Sequence, residues 1–162
     1  MNIAEIDAIV FDFDGVLTDN SVLVNQDGSE TVICNRSDGL AFDVLKKLKI
    51  PAYILSTESN PVVGVRAKKL KVPVLQGLVN KLETLTQICI EKSYDLKKIL
   101  FVGNDLNDFS VMKNCGFSAC PSDSHSEIKK ISQFNLKAKG GDGVAREILE
   151  DIFKLDFLKY LK

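Results

Sequence analysis

Residues 9–19 read Ile9-Val10-Phe11-Asp12-Phe13-Asp14-Gly15-Val16-Leu17-Thr18-Asp19, and this stretch decides the fold. The largely apolar run over residues 6–11 predicts a fully buried strand that ends at two carboxylates and a glycine. Side chains two residues apart on an extended chain point to the same side, so Asp12 and Asp14 are expected to face one small space. Two buried like charges need a cation or a proton between them. The pattern favours a metal site at the carboxyl end of a central strand, with a purely structural cap of that strand as the alternative.

Strand and helix patterns alternate along the rest of the chain. Further strands are predicted over residues 51–55, 72–75, 97–103, 116–120 and 134–136. Helices are predicted over residues 40–49 (capped by Ser37 or Asp38), 61–70, 80–92, 124–131 and 144–153, and another ends at residue 114. Two β-rich runs around Asp27-Gly28 predict a hairpin directly after the first strand. We therefore expect an α/β fold, a parallel sheet with helices on both faces, in a single domain over residues 1–162.

Composition and charge exclude several classes of protein. The chain has 162 residues, 45% of them apolar and 27% charged, which is typical of a globular domain. A net charge of −1 gives no electrostatic case for binding nucleic acid or an anionic membrane. No apolar run reaches the roughly 18 residues of a membrane span, and the first residues lack the pattern of a signal peptide. The expectation is a cytoplasmic protein whose four cysteines stay reduced.

Polar side chains recur where the predicted strands end. Asp12 and Asp14 follow the first strand, Ser56 follows the second, and Lys81 opens a helix. The fourth strand is followed by Asn104-Asp105-Leu106-Asn107-Asp108. Because the carboxyl ends of parallel strands meet at one edge, these groups are expected to form one site. Taken singly, Lys81 also fits a surface lysine and Ser56 a strand-end cap.

The same residues, in this order, resemble the four motifs of the haloacid dehalogenase (HAD) superfamily of phosphatases. The hairpin, the turn Arg36-Ser37-Asp38-Gly39 and the run over residues 140–147 resemble a narrower group. That group contains the cap-less 3-deoxy-D-manno-octulosonate 8-phosphate and nonulosonate 9-phosphate phosphatases, and the phosphatase-like domain attached to acylneuraminate cytidylyltransferases. The resemblance implies a Rossmann-like HAD fold with a hairpin flap and no cap domain. It also implies a phosphoric monoester hydrolase of lipopolysaccharide or sialic acid biosynthesis.

Roles for individual residues follow from that resemblance. Asp12 is expected to attack phosphorus and form an aspartyl-phosphate, and Asp14 to act as general acid and base. Ser56 and Lys81 are expected to contact the phosphoryl oxygens. The resemblance places Mg²⁺ on the Asp12 carboxylate, the Asp14 carbonyl and a group from Asn104-Asp105, since Mg²⁺ prefers oxygen ligands. Asp108 is expected behind these residues, orienting Lys81.

Contacts to the sugar acid are assigned to a second set of residues. Cap-less enzymes recruit such contacts from hairpins, tails or neighbouring subunits, so the predicted substrate-binding residues are Arg36, Ser37, Glu58 and Arg146. The resemblance implies a homotetramer with hairpins at its centre, for which the apolar residues Val22, Val24, Val32 and Ile33 are suited. The glycines near residue 140 either form a turn before the last helix or belong to a tail that closes on substrate.

Two departures from the family pattern keep alternatives open. The fourth motif has Asn104 where an aspartate is usual, so either Asn104 ligates the metal as a neutral group or Asp105 turns inward. A weakly active or inactive oligomerisation domain associated with a cytidylyltransferase is the alternative function. The second motif has Glu58, which repels a nearby carboxylate and accepts hydrogen bonds from hydroxyls. This favours a nonulosonate 9-phosphate over an octulosonate 8-phosphate.

Overall fold

Six parallel strands form the central sheet of the protein, whose computed structural model describes residues 1–160. The strands are β1 (Ala8–Phe11), β4 (Ala52–Leu55), β5 (Val74–Leu75), β6 (Ile99–Val102), β7 (Phe117–Cys120) and β8 (Phe134–Asn135). Their spatial order is β5-β4-β1-β6-β7-β8, so β1 is central and pairs with β4 and β6. A separate antiparallel hairpin, β2 (Leu23–Val24) with β3 (Glu30–Thr31), follows β1.

Helices cover both faces of this sheet. They are α1 (Arg36–Lys47), α2 (Pro61–Leu70), α3 (Lys81–Lys92), α4 (Phe109–Asn114), α5 (Ser126–Ile131), α6 (Val144–Glu147) and α7 (Phe157–Tyr160). Short 3₁₀ turns lie at Ile3–Glu5, Leu96–Lys98 and Leu106–Asp108, and a π-helical turn at Ile148–Ile152.

The side chains of β1 alternate between two apolar cores. Ile9 and Phe11 belong to the core that contains residues of α1 and α6, whereas Ala8 and Val10 belong to the core that contains residues of α3 and α4. All four residues are fully buried, as the continuous apolar run required. The predicted α/β fold with helices on both faces is confirmed, and within residues 1–160 the segment between β1 and α1 holds a hairpin rather than a cap domain.

The predicted start of α1 was wrong, and further elements differ from their predictions in length or in helix geometry. Helix α1 begins at Arg36 rather than residue 40, because the side chain of Asn35, not Ser37 or Asp38, caps it by accepting from the Ser37 N–H at 2.9 Å. The hairpin strands are shorter than predicted. The last long helix changes from α-helical to π-helical geometry at Ile148.

The C-terminal segment packs only in part. Phe157 is buried, while Leu158 is exposed, and Leu161 lies outside the described residues. Residues 161–162 of the predicted single domain lie outside them too. Among residues 1–160, no helix combines the length and apolarity that crossing a membrane requires.

Candidate active site

A cavity of about 340 Å³ opens at the carboxyl ends of the central strands. The order β4-β1-β6 brings together the residues that follow these three strands. The cavity is lined by Asp12, Asp14, Asn20, Thr57, Asn104, Asp105, Leu106 and Asn107. The structure therefore brings the first and fourth motifs to one space, as expected for the edge of a parallel sheet.

A buried lysine joins two buried carboxylates behind this cavity. The Lys81 Nζ lies 2.7 Å from Asp12 Oδ1 and 2.7 Å from Asp108 Oδ1. Lys81 reaches this position as the first residue of α3, where Asn80 caps the helix by accepting from the Leu82 and Glu83 N–H groups. With two carboxylates and one ammonium, the group keeps one net negative charge, which favours a further cation at its open side.

Burial and mutual charge shift the protonation of this group. Burial raises the pKa of Asp12 well above its usual value, Asp108 adds to that rise, and Lys81 opposes it. Burial alone would lower the pKa of Lys81, but the two carboxylates outweigh it and leave that pKa raised. Asp12 Oδ1 also accepts from the Phe13 N–H at 2.7 Å. No hydrogen bond from residues 1–160 reaches Asp12 Oδ2, so this oxygen remains available to a bound group.

Asn104 presents an oxygen that lacks a donor. Its backbone N–H donates to Asp108 Oδ2 at 2.9 Å, and its backbone carbonyl accepts from the His125 N–H at 2.9 Å. Its side-chain nitrogen packs against Gly15, where a Cβ would come within 2.0 Å of it. Gly15 also has a φ of +76°, which suits glycine. No group of the described residues donates a hydrogen bond to the buried Asn104 Oδ1. A buried polar oxygen without a donor calls for another partner, such as a bound ion.

The oxygen atoms around this cavity suit a hard cation that accepts neutral ligands. Within residues 1–160, no three carboxylate, thiol or imidazole side chains converge on a point, so a cation here needs amide or carbonyl oxygens as well. Asp12 and Asn104 both line one cavity, and the Asn104 Oδ1 has no donor among the described residues, so the two side chains are candidates for such ligands. Oxygen-only coordination with remaining water is what Mg²⁺ prefers, so the residues present fit this ion.

The remaining predicted residues at the strand ends have distinct surroundings. Asp14 is half-buried, and burial raises the pKa of its carboxyl, with further increases from Glu58 and Glu30. Ser56 is buried, and its hydroxyl accepts from the Glu58 N–H at 3.0 Å. Asp105 is exposed at the rim, where its Oδ1 accepts from the Leu106 N–H.

Most of the predicted substrate-binding residues lie away from this cavity in the single chain. Arg36 lines a different cavity with Arg66 and Lys69 of α2. Arg146 pairs with Glu150 at 2.6 Å and stacks over the Phe157 ring at 4.1 Å. Their predicted contacts to substrate stay predictions.

Two further predicted positions mark the turns around the site. Ser37, in the first turn of α1, donates to the side chain of its cap residue Asn35 at 2.7 Å. Glu58 lines a second cavity, which adjoins the first at Asp14 and Asn20.

Sequence reasoning missed Asn20, Asn107 and Asp38. Asn20 and Asn107 line the cavity; the left-handed φ of +65° at Asn20 marks a tight turn that only the structure shows. Asp38 was assigned only a capping role at α1. It is buried and accepts from the Ala145 N–H at 2.9 Å, and burial raises its pKa to about 6. The glycine-rich run before α6 packs on the first motif, with Gly141 donating to the Val16 carbonyl at 3.0 Å.

Known proteins are similar to this chain in both sequence and architecture. The model of the haloacid dehalogenase-like hydrolase family matches residues 40–148. N-acylneuraminate cytidylyltransferase A of Danio rerio is 27% identical over 87% of the chain, which spans only 33% of that protein. The 3-deoxy-D-manno-octulosonate 8-phosphate phosphatase of Yersinia pestis is 26% identical over 91% of the chain and 79% of its own length.

Solved structures extend the likeness to three dimensions. A HAD-family hydrolase from Streptomyces avermitilis has a TM-score of 0.90 and 41% identity, covering 93% of this chain and 86% of that one. The octulosonate 8-phosphate phosphatase of Moraxella catarrhalis, solved with magnesium, phosphate and KDO, has a TM-score of 0.89 and 29% identity, covering 94% and 88%. By the family model and these likenesses, the chain belongs to the haloacid dehalogenase-like hydrolases.

Proposed function

We propose that this protein is a magnesium-dependent phosphatase that hydrolyses the phosphate monoester of a sugar acid through an aspartyl-phosphate on Asp12. The observation that carries the proposal is the joint placement of Asp12 and Asn104 at one cavity, with Lys81 on Asp12 Oδ1 and no donor to the Asn104 Oδ1 among the described residues. The magnesium and phosphate bound by the relative from Moraxella catarrhalis support this interpretation.

Asp12 has the properties of the nucleophile. Lys81 and the Phe13 N–H fix its Oδ1, which leaves Oδ2 to form the bond to phosphorus while the ester P–O bond breaks. Lys81 also lowers the negative charge that a phosphate dianion meets, since each like-charge pair costs about 4 kcal/mol at 4 Å and an effective dielectric near 20. Bound Mg²⁺ supplies the second positive charge and polarises the phosphoryl oxygens. We assign its protein ligands to Asp12, the Asp14 carbonyl and Asn104.

Asp14 has the properties of the general acid and base. Because its pKa is raised, the carboxyl stays protonated up to a higher pH and can protonate the leaving sugar oxygen. In the second step it takes a proton from water, which attacks phosphorus and releases phosphate from Asp12. Ser56 and Thr57 supply hydroxyls next to the phosphoryl group, and Asp108 holds Lys81 in place.

A sugar acid is the proposed substrate because two of the relatives named above, from Yersinia pestis and Moraxella catarrhalis, are 3-deoxy-D-manno-octulosonate 8-phosphate phosphatases. We keep a nonulosonate 9-phosphate as the other candidate, since Glu58 accepts hydrogen bonds from hydroxyls. The exposed apolar residues Leu23, Val24 and Ile33 of the hairpin region support a homotetramer built around it. The similarity to the zebrafish cytidylyltransferase supports the second candidate, a weakly active assembly domain that works beside such an enzyme.

Phosphate release from a panel of sugar-acid phosphates, with and without Mg²⁺, tests the proposal. We expect Asp12→Asn to lose all turnover and Asp151→Asn, which alters an exposed carboxylate in the π-helical turn, to keep it. Turnover retained by Asp12→Asn would remove Asp12 as the nucleophile. Absence of turnover on every ester would favour the assembly domain.

The metal assignment has its own test. We expect Asn104→Asp to lower the magnesium concentration for half-maximal thermal stabilisation about tenfold or more, because a charge replaces a neutral ligand. Asp105→Asn is expected to leave that concentration within about twofold, since Asp105 is exposed at the rim. The reverse pattern would assign the ligand to Asp105.

A further inference from the structure

A second cavity, of about 240 Å³, lies between the hairpin and the start of α2. It shares Asp14 and Asn20 with the strand-end cavity, so the two spaces adjoin at these residues. Its remaining lining residues are Ser21, Val22, Glu30, Val32, Glu58 and Val62. Every ionisable side chain in this lining is a carboxylate.

The position of Asp14 assigns a role to this second cavity. In the proposed function, Asp14 protonates the ester oxygen, so the phosphoryl group and the leaving group lie on either side of that oxygen. The phosphoryl group occupies the cavity at Asp12, which leaves the second cavity for the leaving group. The first carbons of the leaving group therefore lie beside Glu30 and Glu58.

Glu30 is held in this cavity by the first turn of α2. Its Oε2 accepts from Asn60 Nδ2 at 2.8 Å, while the Asn60 Oδ1 caps α2 by accepting from the Val62 N–H at 3.0 Å. Glu58 is oriented from the same turn, since its Oε1 accepts from the Ser59 and Asn60 N–H groups. Both carboxylates keep one oxygen that no hydrogen bond from residues 1–160 reaches. These oxygens are acceptors that suit hydroxyl donors.

We propose that Glu30, carried by the hairpin, is a specificity-determining residue that acts with Glu58 to select leaving groups whose first carbons bear uncharged hydroxyls and to reject those with a carboxylate close to the ester oxygen. The proposal rests on the proposed function, because it needs phosphoryl chemistry at Asp12. It requires the carboxylate of a sugar acid to lie several carbons from the phosphate, beyond this cavity. A carboxylate close to the ester oxygen would meet two fixed charges of its own sign.

A matched pair of small esters tests this selectivity. Glycerol 3-phosphate and 3-phosphoglycerate differ in one end group, a hydroxymethyl in the first and a carboxylate in the second. We expect the wild type to favour glycerol 3-phosphate by about tenfold or more in kcat/KM. Glu30→Gln, which keeps an oxygen to accept from Asn60, is expected to reduce that ratio about threefold, and Glu58→Gln to reduce it similarly.

The control variant is Glu5→Gln, an exposed carboxylate at the opposite edge of the sheet, which is expected to leave the ratio unchanged. Equal kcat/KM for the two esters, or a ratio unmoved in both glutamine variants, overturns the selectivity while turnover still supports the phosphatase. Turnover of the sugar-acid panel without turnover of glycerol 3-phosphate overturns the selectivity alone. Failure to hydrolyse these two esters, p-nitrophenyl phosphate and every ester of the sugar-acid panel overturns the phosphatase and the selectivity together.

Discussion

Replacing Lys81 with methionine removes the only cation that contacts both Asp12 and Asp108 among the described residues. Methionine has a similar length, so the loss is one of charge and hydrogen bonds rather than of volume. Two carboxylates held about 5 Å apart repel by about 3 kcal/mol at an effective dielectric near 20. Removing one partner of a buried ionic group costs about 3–5 kcal/mol. We therefore expect Lys81→Met to lower the free energy of unfolding by about 3 kcal/mol or more at pH 7.

Urea denaturation in EDTA measures this loss without any contribution from bound metal. Lys92→Met, at the exposed end of the same helix, is the control and is expected to cost less than about 1 kcal/mol. Adding Asp108→Asn to Lys81→Met should recover about half of the loss, because one of the two facing charges is gone. The deficit should also shrink towards pH 5, where a proton replaces the missing ammonium. A loss below about 1 kcal/mol at pH 7 would refute the view that Lys81 neutralises this pair.

Two further predictions concern groups around the site. The pKa of Asp38 is raised to about 6, so its carboxyl stays neutral in the folded protein at low pH. As the pH rises through 6, the cost of burying its charge lowers the free energy of unfolding. Between pH 4.5 and 7.5, the wild type should therefore lose about 2 kcal/mol of stability relative to Asp38→Asn, measured by urea denaturation, and parallel curves would contradict the assignment. Gly140→Ala places a Cβ 2.3 Å from the Gly15 carbonyl oxygen and should cost about 1–3 kcal/mol in thermal unfolding. Gly28→Ala, with nothing within 4 Å, should cost only its left-handed strain of about 1 kcal/mol, and equal costs would contradict the clash.

The order of strands and helices could be predicted because each signal is local. An apolar run such as β1 identifies a buried strand, and Asn60-Pro61 identifies the start of α2. The start of α1 could not be placed in the same way, since Asn35, Ser37 and Asp38 are all capable caps. Tertiary contacts decide which residue caps the helix. The Asp38 carboxylate accepts from the Ala145 N–H of α6, more than a hundred residues later, and so does not serve as the cap.

The candidate site was predictable in its composition but not in its pairing. Strand ends placed Asp12, Asn104 and Asp108 at one edge, and the positions of all three agree with that placement. The resemblance gave Asp108 as a candidate to orient Lys81, but no local pattern shows that the same ammonium also contacts Asp12, or that the Asn104 oxygen lacks a donor. Both features depend on distances between side chains of three different elements. The spacing of apolar and polar residues in the sequence carries no information about such distances.

The central position of β1 has a consequence for how the protein folds during synthesis. Ala8 pairs with Ile99 of β6, so the first strand of this sheet to be synthesised obtains its second neighbour only about ninety residues later. Until then the apolar side chains of β1 are not fully buried, and folding is limited by slow, long-range strand pairing. Nascent chains that stop short of β6 should therefore depend on chaperones, and they lack Asn104 and Asp108, which the proposed site requires.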